Sequence, residues 1–249
     1  MSSGLHVVRV GLGPTLLLIH GSATDHTAWS IQLAGSLRER FTLVAYDRRA
    51  TATSVEEHAE DAATLLGAEP VILVGSSFGA VVALEVLRRH GSRCKGAVLL
   101  EPPMAASDDG LAAPAAFLPD FDRTVASRGG PAAGELFMRT VLGNVEFERI
   151  PRAYQERATA RWAEIRADCA ALLGYRPRYA ELRAITTPVQ LIGGERSAPT
   201  FRATLDALFG ALPDARLEII PGAGHMLQAE APRKLAEVVT AFAADVDLR

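Results

Sequence analysis

Short apolar runs alternate with amphipathic stretches along most of this chain. Strand-length runs occupy Val7–Val10, Thr15–Ile19, Thr42–Tyr46, Val71–Val74, Ala97–Leu100, Val189–Ile192 and Arg216–Ile220. Between them the apolar positions recur at helical spacing, which predicts helices over 29–39, 54–67, 78–90, 199–211 and 231–245. Several of the strands are almost wholly Val, Leu and Ile, as befits a sheet covered on both faces. Repeated strand–helix units predict an α/β fold built on a mostly parallel, doubly wound sheet.

The alternation stops between about Pro102 and Ile185. That stretch is rich in Ala, Arg, Pro and Gly, with helical pieces expected near 114–127, 131–142, 151–160 and 161–173. It carries Phe117, Phe121, Phe137, Phe147, Trp162 and Tyr175, enough apolar area to pack, so it reads as a helical insertion and not a linker. The predicted organisation is a core from 1–102 and 185–249, with a helical cap at 103–184 over the carboxyl edge of the sheet.

Within this pattern one segment carries chemistry. Val71-Ile72-Leu73-Val74 runs into Gly75-Ser76-Ser77-Phe78-Gly79, and an amphipathic helix follows. A sharp strand-to-helix turn lifts the central serine clear of the sheet in a strained conformation. The glycines let strand and helix approach each other. Ser77 is therefore the candidate nucleophile.

A serine hydroxyl needs a base to take its proton, and histidine titrates in the right range. His225 lies in Pro221-Gly-Ala-Gly-His-Met, just past the strand Arg216–Ile220. Parallel strands end on one edge, so His225 and Ser77 can meet there. The loop Ile19-His20-Gly21-Ser22 also follows a strand. It supplies a candidate oxyanion hole from the N–H groups of Ser22 and Phe78, and one such donor contributes about 3 kcal/mol. His20 reads as a scaffold for this loop.

These residues resemble the α/β-hydrolase fold superfamily, in its capped serine esterase and lipase-like group. The resemblance spans nearly the whole chain. It rests on His20-Gly21, Trp29, Tyr46-Asp47-Arg48, Gly75-x-Ser77-x-Gly79 and Gly222-x-Gly224-His225, in family order. The Asp-Arg turn of that family continues to a glycine, whereas Ala50 stands here, and Asp47 reads as a turn-fixing residue. The family pattern also places an aspartate where this chain has Ser197. Two carboxylates could replace it as the acid behind His225. Glu101, at the end of the strand Ala97–Leu100, occupies the family's alternative acid site and is favoured over Glu195. A serine–histidine pair without an acid is the third option.

Composition narrows the rest. The chain has 249 residues, 49% of them hydrophobic, and a net charge of -3. That suits one large domain and offers no basic stripe for nucleic acid. No run is long enough to span a membrane, and the N-terminus lacks the pattern of a signal peptide. Cys94 and Cys169 read as free thiols of a cytoplasmic protein. No cofactor or metal is implied, because the His and Cys residues lack ligand spacing. The expected partner is a small apolar substrate, and the chain is expected to be a monomer or homodimer.

Trp29, Met104, Phe117, Phe121, Phe137 and Met226 suggest an apolar cleft. No arginine or lysine stands out as a clamp for a carboxylate or phosphate, with Arg48, Arg49 and Arg123 left open. The expected activity is cleavage of a small to medium apolar ester, thioester or lactone. The alternatives are carbon–carbon bond cleavage by the same Ser-His pair, or a ligand-binding protein without turnover.

Overall fold

The computed structural model describes residues 4–110, 116–176 and 179–247. Among them, seven strands form one sheet: β1 (Val7–Val10), β2 (Thr15–Ile19), β3 (Thr42–Tyr46), β4 (Val71–Ser76), β5 (Cys94–Leu100), β6 (Val189–Gly194) and β7 (Ala215–Ile220). Their order is β1-β3-β2-β4-β5-β6-β7, with β1 antiparallel to β3 and every other pairing parallel. The expected fold class is the one observed.

Side chains alternate across the sheet because a strand has period two. Leu17 and Ile19 join one core while Leu16 and Leu18 join the other. The first core lies under α2 (Val55–Ala63), α3 (Phe78–His90) and α10 (Pro199–Ala211). The second lies under α11 (Pro232–Asp247), with Trp29 and Leu37 from the segment after β2. Every residue of β4 is buried, so Ser77 is presented from the middle of the sheet.

Two predicted helices differ in extent. The stretch 29–39 breaks into 3-10 turns at His26–Trp29 and Ser36–Glu39 flanking a short α1 (Ser30–Ala34). Gly35 is extended, and a Cβ there would sit 2.8 Å from the Ile31 carbonyl. The helix expected over 54–67 starts on the Ser54 cap, whose Oγ accepts the Glu57 N–H, and stops at Ala63. Strands β4, β5 and β6 run longer than the apolar runs because neighbouring strands pair with their ends.

Between β5 and β6 lie α4 (Leu118–Arg128), α5 (Gly130–Leu142), α6 (Asn144–Arg149), α7 (Arg152–Ala160), α8 (Trp162–Gly174) and α9 (Tyr179–Leu182). The helix expected from 114 includes positions outside the described residues. Gly129 and Gly143, at φ +88° and +87°, end successive helices as only glycine does without strain. These helices gather their own apolar cluster around Phe121, Phe137, Met138 and Ile165. Two buried carboxylates tie the segment to the sheet layer: Tyr175 donates to Glu85 at 3.0 Å, and Arg48 donates to Asp168. Among the described residues no helix is long and apolar enough to cross a membrane.

Candidate active site

The turn after β4 is as tight as its glycines predict. A Cβ on Gly79 would lie 2.2 Å from the Ile19 carbonyl oxygen, and one on Gly75 would lie 2.4 Å from that of Gly79. Both contacts are backbone, so neither position can accept a side chain without moving strand or helix. Ser77 sits at φ 54°, ψ -124°, and its N–H donates to the Leu100 carbonyl at 2.8 Å.

Three non-glycine residues among those described have positive φ: Ala23 at 62°, Ser77 at 54° and Glu101 at 46°. Each follows a parallel strand at its carboxyl end: β2, β4 and β5 respectively. Backbone strain of this kind costs on the order of 1–3 kcal/mol per residue and gathers at functional sites. Its concentration on one sheet edge marks the site independently of any motif.

Glu101 is almost wholly buried. Its Oε1 accepts the Gly194 N–H at 2.7 Å, and its Oε2 lies 2.6 Å from His225 Nδ1. A carboxylate only accepts, so Nδ1 carries the proton and Nε2 of the neutral ring is an acceptor. Phe201, on α10, stacks on the imidazole at 4.2 Å between centroids and 17° between planes. One hydrogen bond and one stacking face fix the ring. No pattern in the sequence pointed to Phe201, because α10 meets His225 only through the fold.

His225, Ser77, Gly21 and Ser22 line one cavity of about 60 Å³ together with Phe137, Tyr154 and Met226. Among the described residues, neither the Ser22 N–H nor the Phe78 N–H donates to another backbone group. Phe78 opens α3, where first-turn N–H groups lack intrahelical acceptors and the helix dipole favours negative charge. The candidate nucleophile, base, acid and two candidate donors thus share one edge, an arrangement able to carry acyl transfer.

His20 is buried, which drives its pKa well below the ordinary histidine value. Its Nδ1 donates to the Gly21 carbonyl at 2.8 Å and its Nε2 accepts the Arg48 N–H at 3.1 Å. It holds the loop, as expected. Asp47 accepts the His26 N–H at 2.9 Å and fixes the start of the 3-10 turn.

Other candidates fall elsewhere. Glu195 accepts the exposed Gly222 N–H at 2.8 Å and stands apart from the Glu101–His225 pair. Ser197 buries its Oγ without a partner among the described residues. Trp29 and Phe121 are fully buried core residues and do not line the cleft. Met104, Phe117 and Phe137 line a second, apolar cavity of about 380 Å³ with Phe201. A wider groove of about 560 Å³ opens beside His225 and Met226. Val141 borders all three spaces.

The candidate arginines are all paired. Arg48 is held by Asp168 at 2.7 Å, Arg49 by Asp61 at 2.9 Å, and Arg123 by Asp120 at 3.0 Å. Cys94 and Cys169 are free and buried, and burial pushes each thiol up to about 12. Among the described residues one group could approach a metal. His6, His26 and Asp47 bring ligand atoms within 4.8 Å of one another. There His26 Nδ1 and Asp47 Oδ1 already pair with each other at 2.7 Å.

Residues 16–238 match the model of the alpha/beta hydrolase family, and the chain belongs to that family. It is 33% identical to the uncharacterized hydrolase YraK of Bacillus subtilis over 113 residues, 40% of this chain and 41% of that protein. Over 96% of its length it is 25% identical to the 2-(acetamidomethylene)succinate hydrolase of Mesorhizobium japonicum, covering 91% of that enzyme. Its fold is similar to that of a thermophilic esterase from Thermogutta terrifontis, with a TM-score of 0.81 and 22% identity, over 97% of this chain and 93% of that one.

Proposed function

We propose that this member of the family is a serine hydrolase acting on a small to medium apolar carboxylic ester, thioester or lactone through an acyl-enzyme on Ser77. The observation that carries this reading is the 2.6 Å contact between His225 Nδ1 and Glu101 Oε2, made by a histidine that shares the Ser77 cavity. It supplies the acid that Ser197 cannot. It thereby weakens the case for a ligand-binding protein without turnover.

In this mechanism His225 Nε2 takes the Ser77 proton as Oγ attacks the substrate carbonyl. Glu101 holds the ring in the tautomer that leaves Nε2 free and stabilises the imidazolium. The tetrahedral oxyanion is met by the N–H groups of Ser22 and Phe78. His225 then protonates the leaving oxygen or sulfur, and that C–O or C–S bond breaks. Water, deprotonated by the same nitrogen, hydrolyses the Ser77 ester and restores the free hydroxyl. The insertion at 103–184 acts as the cap. It gives the apolar walls Phe117, Phe137 and Val141, which support an apolar acyl or alcohol group.

A fluorophosphonate probe and a p-nitrophenyl ester series of increasing acyl length test the reading. Wild type should be labelled and should turn over the esters, and Ser77→Ala should do neither. Labelling or full hydrolysis by folded Ser77→Ala would overturn it. A product screen separates ester cleavage from carbon–carbon cleavage.

A further inference from the structure

Asp168 has no motif and no place in the chemistry above, yet it is a nearly buried carboxylate on α8, within the insertion. It accepts three hydrogen bonds from the sheet layer: from Arg48 Nη1 at 2.9 Å, from Arg48 Nη2 at 2.7 Å and from Ser22 Oγ at 2.7 Å. Arg48 passes the constraint on. Its Nη2 donates to the Gly21 carbonyl at 3.1 Å and its Nε donates to the His20 carbonyl at 3.2 Å.

The geometry of a peptide gives this a consequence. In a trans peptide the C=O and the following N–H point in opposite directions. Holding the Gly21 carbonyl toward Arg48 aims the Ser22 N–H the other way. His20 Nδ1 grips the same carbonyl from within the loop, and Asp168 holds Ser22 by its side chain. The guanidinium also lies over the Phe78 ring at 4.5 Å from its centroid, so Arg48 touches one candidate donor residue and the carbonyl of the peptide that carries the other donor. A planar, two-pronged cation does what a lysine could not.

We infer that Asp168 is a positioning residue. Through Arg48 and the Ser22 hydroxyl, it fixes the Gly21–Ser22 peptide and so aims one oxyanion donor from the inserted helices. The inference rests on the serine-hydrolase reading. A donor set for a developing charge contributes to the transition state and little to ground-state binding. Loss of Asp168 should therefore act on kcat.

The test compares Asp168→Asn, Ser22→Ala, their double variant and Tyr175→Phe on p-nitrophenyl butyrate, with phenylboronic acid as a tetrahedral-adduct inhibitor. Ser22→Ala keeps the backbone N–H and removes only the hydroxyl link. Tyr175→Phe cuts a different hydrogen bond between the insertion and the core, the one to Glu85 on α3.

Asp168→Asn and Ser22→Ala should each lower kcat by roughly 10–100-fold and weaken the boronate by a similar factor. KM should stay within about threefold. The double variant should lose no more than the worse single, because the two act through one element. Tyr175→Phe should stay within about twofold of wild type in kcat.

Unchanged kcat in folded Asp168→Asn overturns the inference, as does lost kcat with an unchanged boronate Ki, or an equal loss in Tyr175→Phe. If Asp168→Asn does not fold, Ser22→Ala decides on the same readouts. Ser77→Ala run alongside keeps the two claims apart. Its retained activity sinks the hydrolase reading, whereas an inactive Ser77→Ala beside a fully active Asp168→Asn sinks only the positioning role.

Discussion

Glu101 Oε2 meets His225 Nδ1 at 2.6 Å from a residue whose own φ is +46°. The turn that ends β5 is strained in the same sense as the turn that ends β4. Both place a functional group on the carboxyl edge, where a relaxed backbone would point it elsewhere. The Gly194 N–H on the second carboxylate oxygen stops the side chain from rotating away.

Glu101→Gln keeps the shape and removes the charge that selects the histidine tautomer. Its kcat for p-nitrophenyl esters should fall by roughly 10³–10⁴-fold, the size of effect seen when a triad acid becomes its amide. Glu195→Gln should stay within about twofold, as a surface change away from the site. Steady-state kinetics on both variants, side by side, checks the assignment. Equal losses would reject it.

Val141 borders the Ser77 cavity, the apolar cavity and the outer groove. Val141→Trp should take up space in all three. It should reduce kcat/KM for octanoate esters by roughly 10–100-fold more than for acetate, since each excluded methylene forfeits on the order of 1 kcal/mol of burial. A uniform loss across the acyl series would show that long acyl chains do not use these cavities.

Gly79→Ala would press a methyl group against two carbonyl oxygens, 2.2 and 2.6 Å away, at the crossing of β2 and α3. Overpacking of this kind typically costs 1–3 kcal/mol or more, and backbone contacts relieve poorly. Thermal unfolding should show a loss of at least about 5 °C, with fluorophosphonate labelling slowed in parallel.

Burial and the neighbouring Arg48 push the pKa of His58 down to about 3. An unfolded histidine takes up a proton near pH 6.5, whereas the folded His58 stays neutral until about pH 3. Between those values the unfolded state binds more protons, so stability falls as pH falls, by at most about 1.4 kcal/mol per pH unit. Urea unfolding at pH 7 and pH 5 should show wild type losing up to about 2 kcal/mol more than His58→Gln, which cannot titrate. Equal losses would mean that His58 protonates in the folded state.

Much of this molecule follows from local sequence. The seven strands are legible as short apolar runs, near-continuous in the buried parallel strands β2, β4 and β5 and interrupted by polar positions in the less buried β1 and β7. Ser77, His225 and the His20–Ser22 loop are legible because each follows such a run, and parallel strands share an edge. The break of the helix at Gly35 was less legible. A single glycine interrupts a helical pattern only where the next turn must leave the helix to pack.

The contacts that complete the site depend on partners far apart in the chain. Glu101 and His225 are 124 residues apart, Ser22 and Asp168 are 146 apart, and Phe201 reaches His225 from another helix. Sequence spacing determined which side chains could stand on the sheet edge. Only the tertiary structure decided which carboxylate faces the histidine, because that depends on the twist and register of β5, β6 and β7. It alone joined Asp168 to Arg48, since packing of the inserted helices sets that distance.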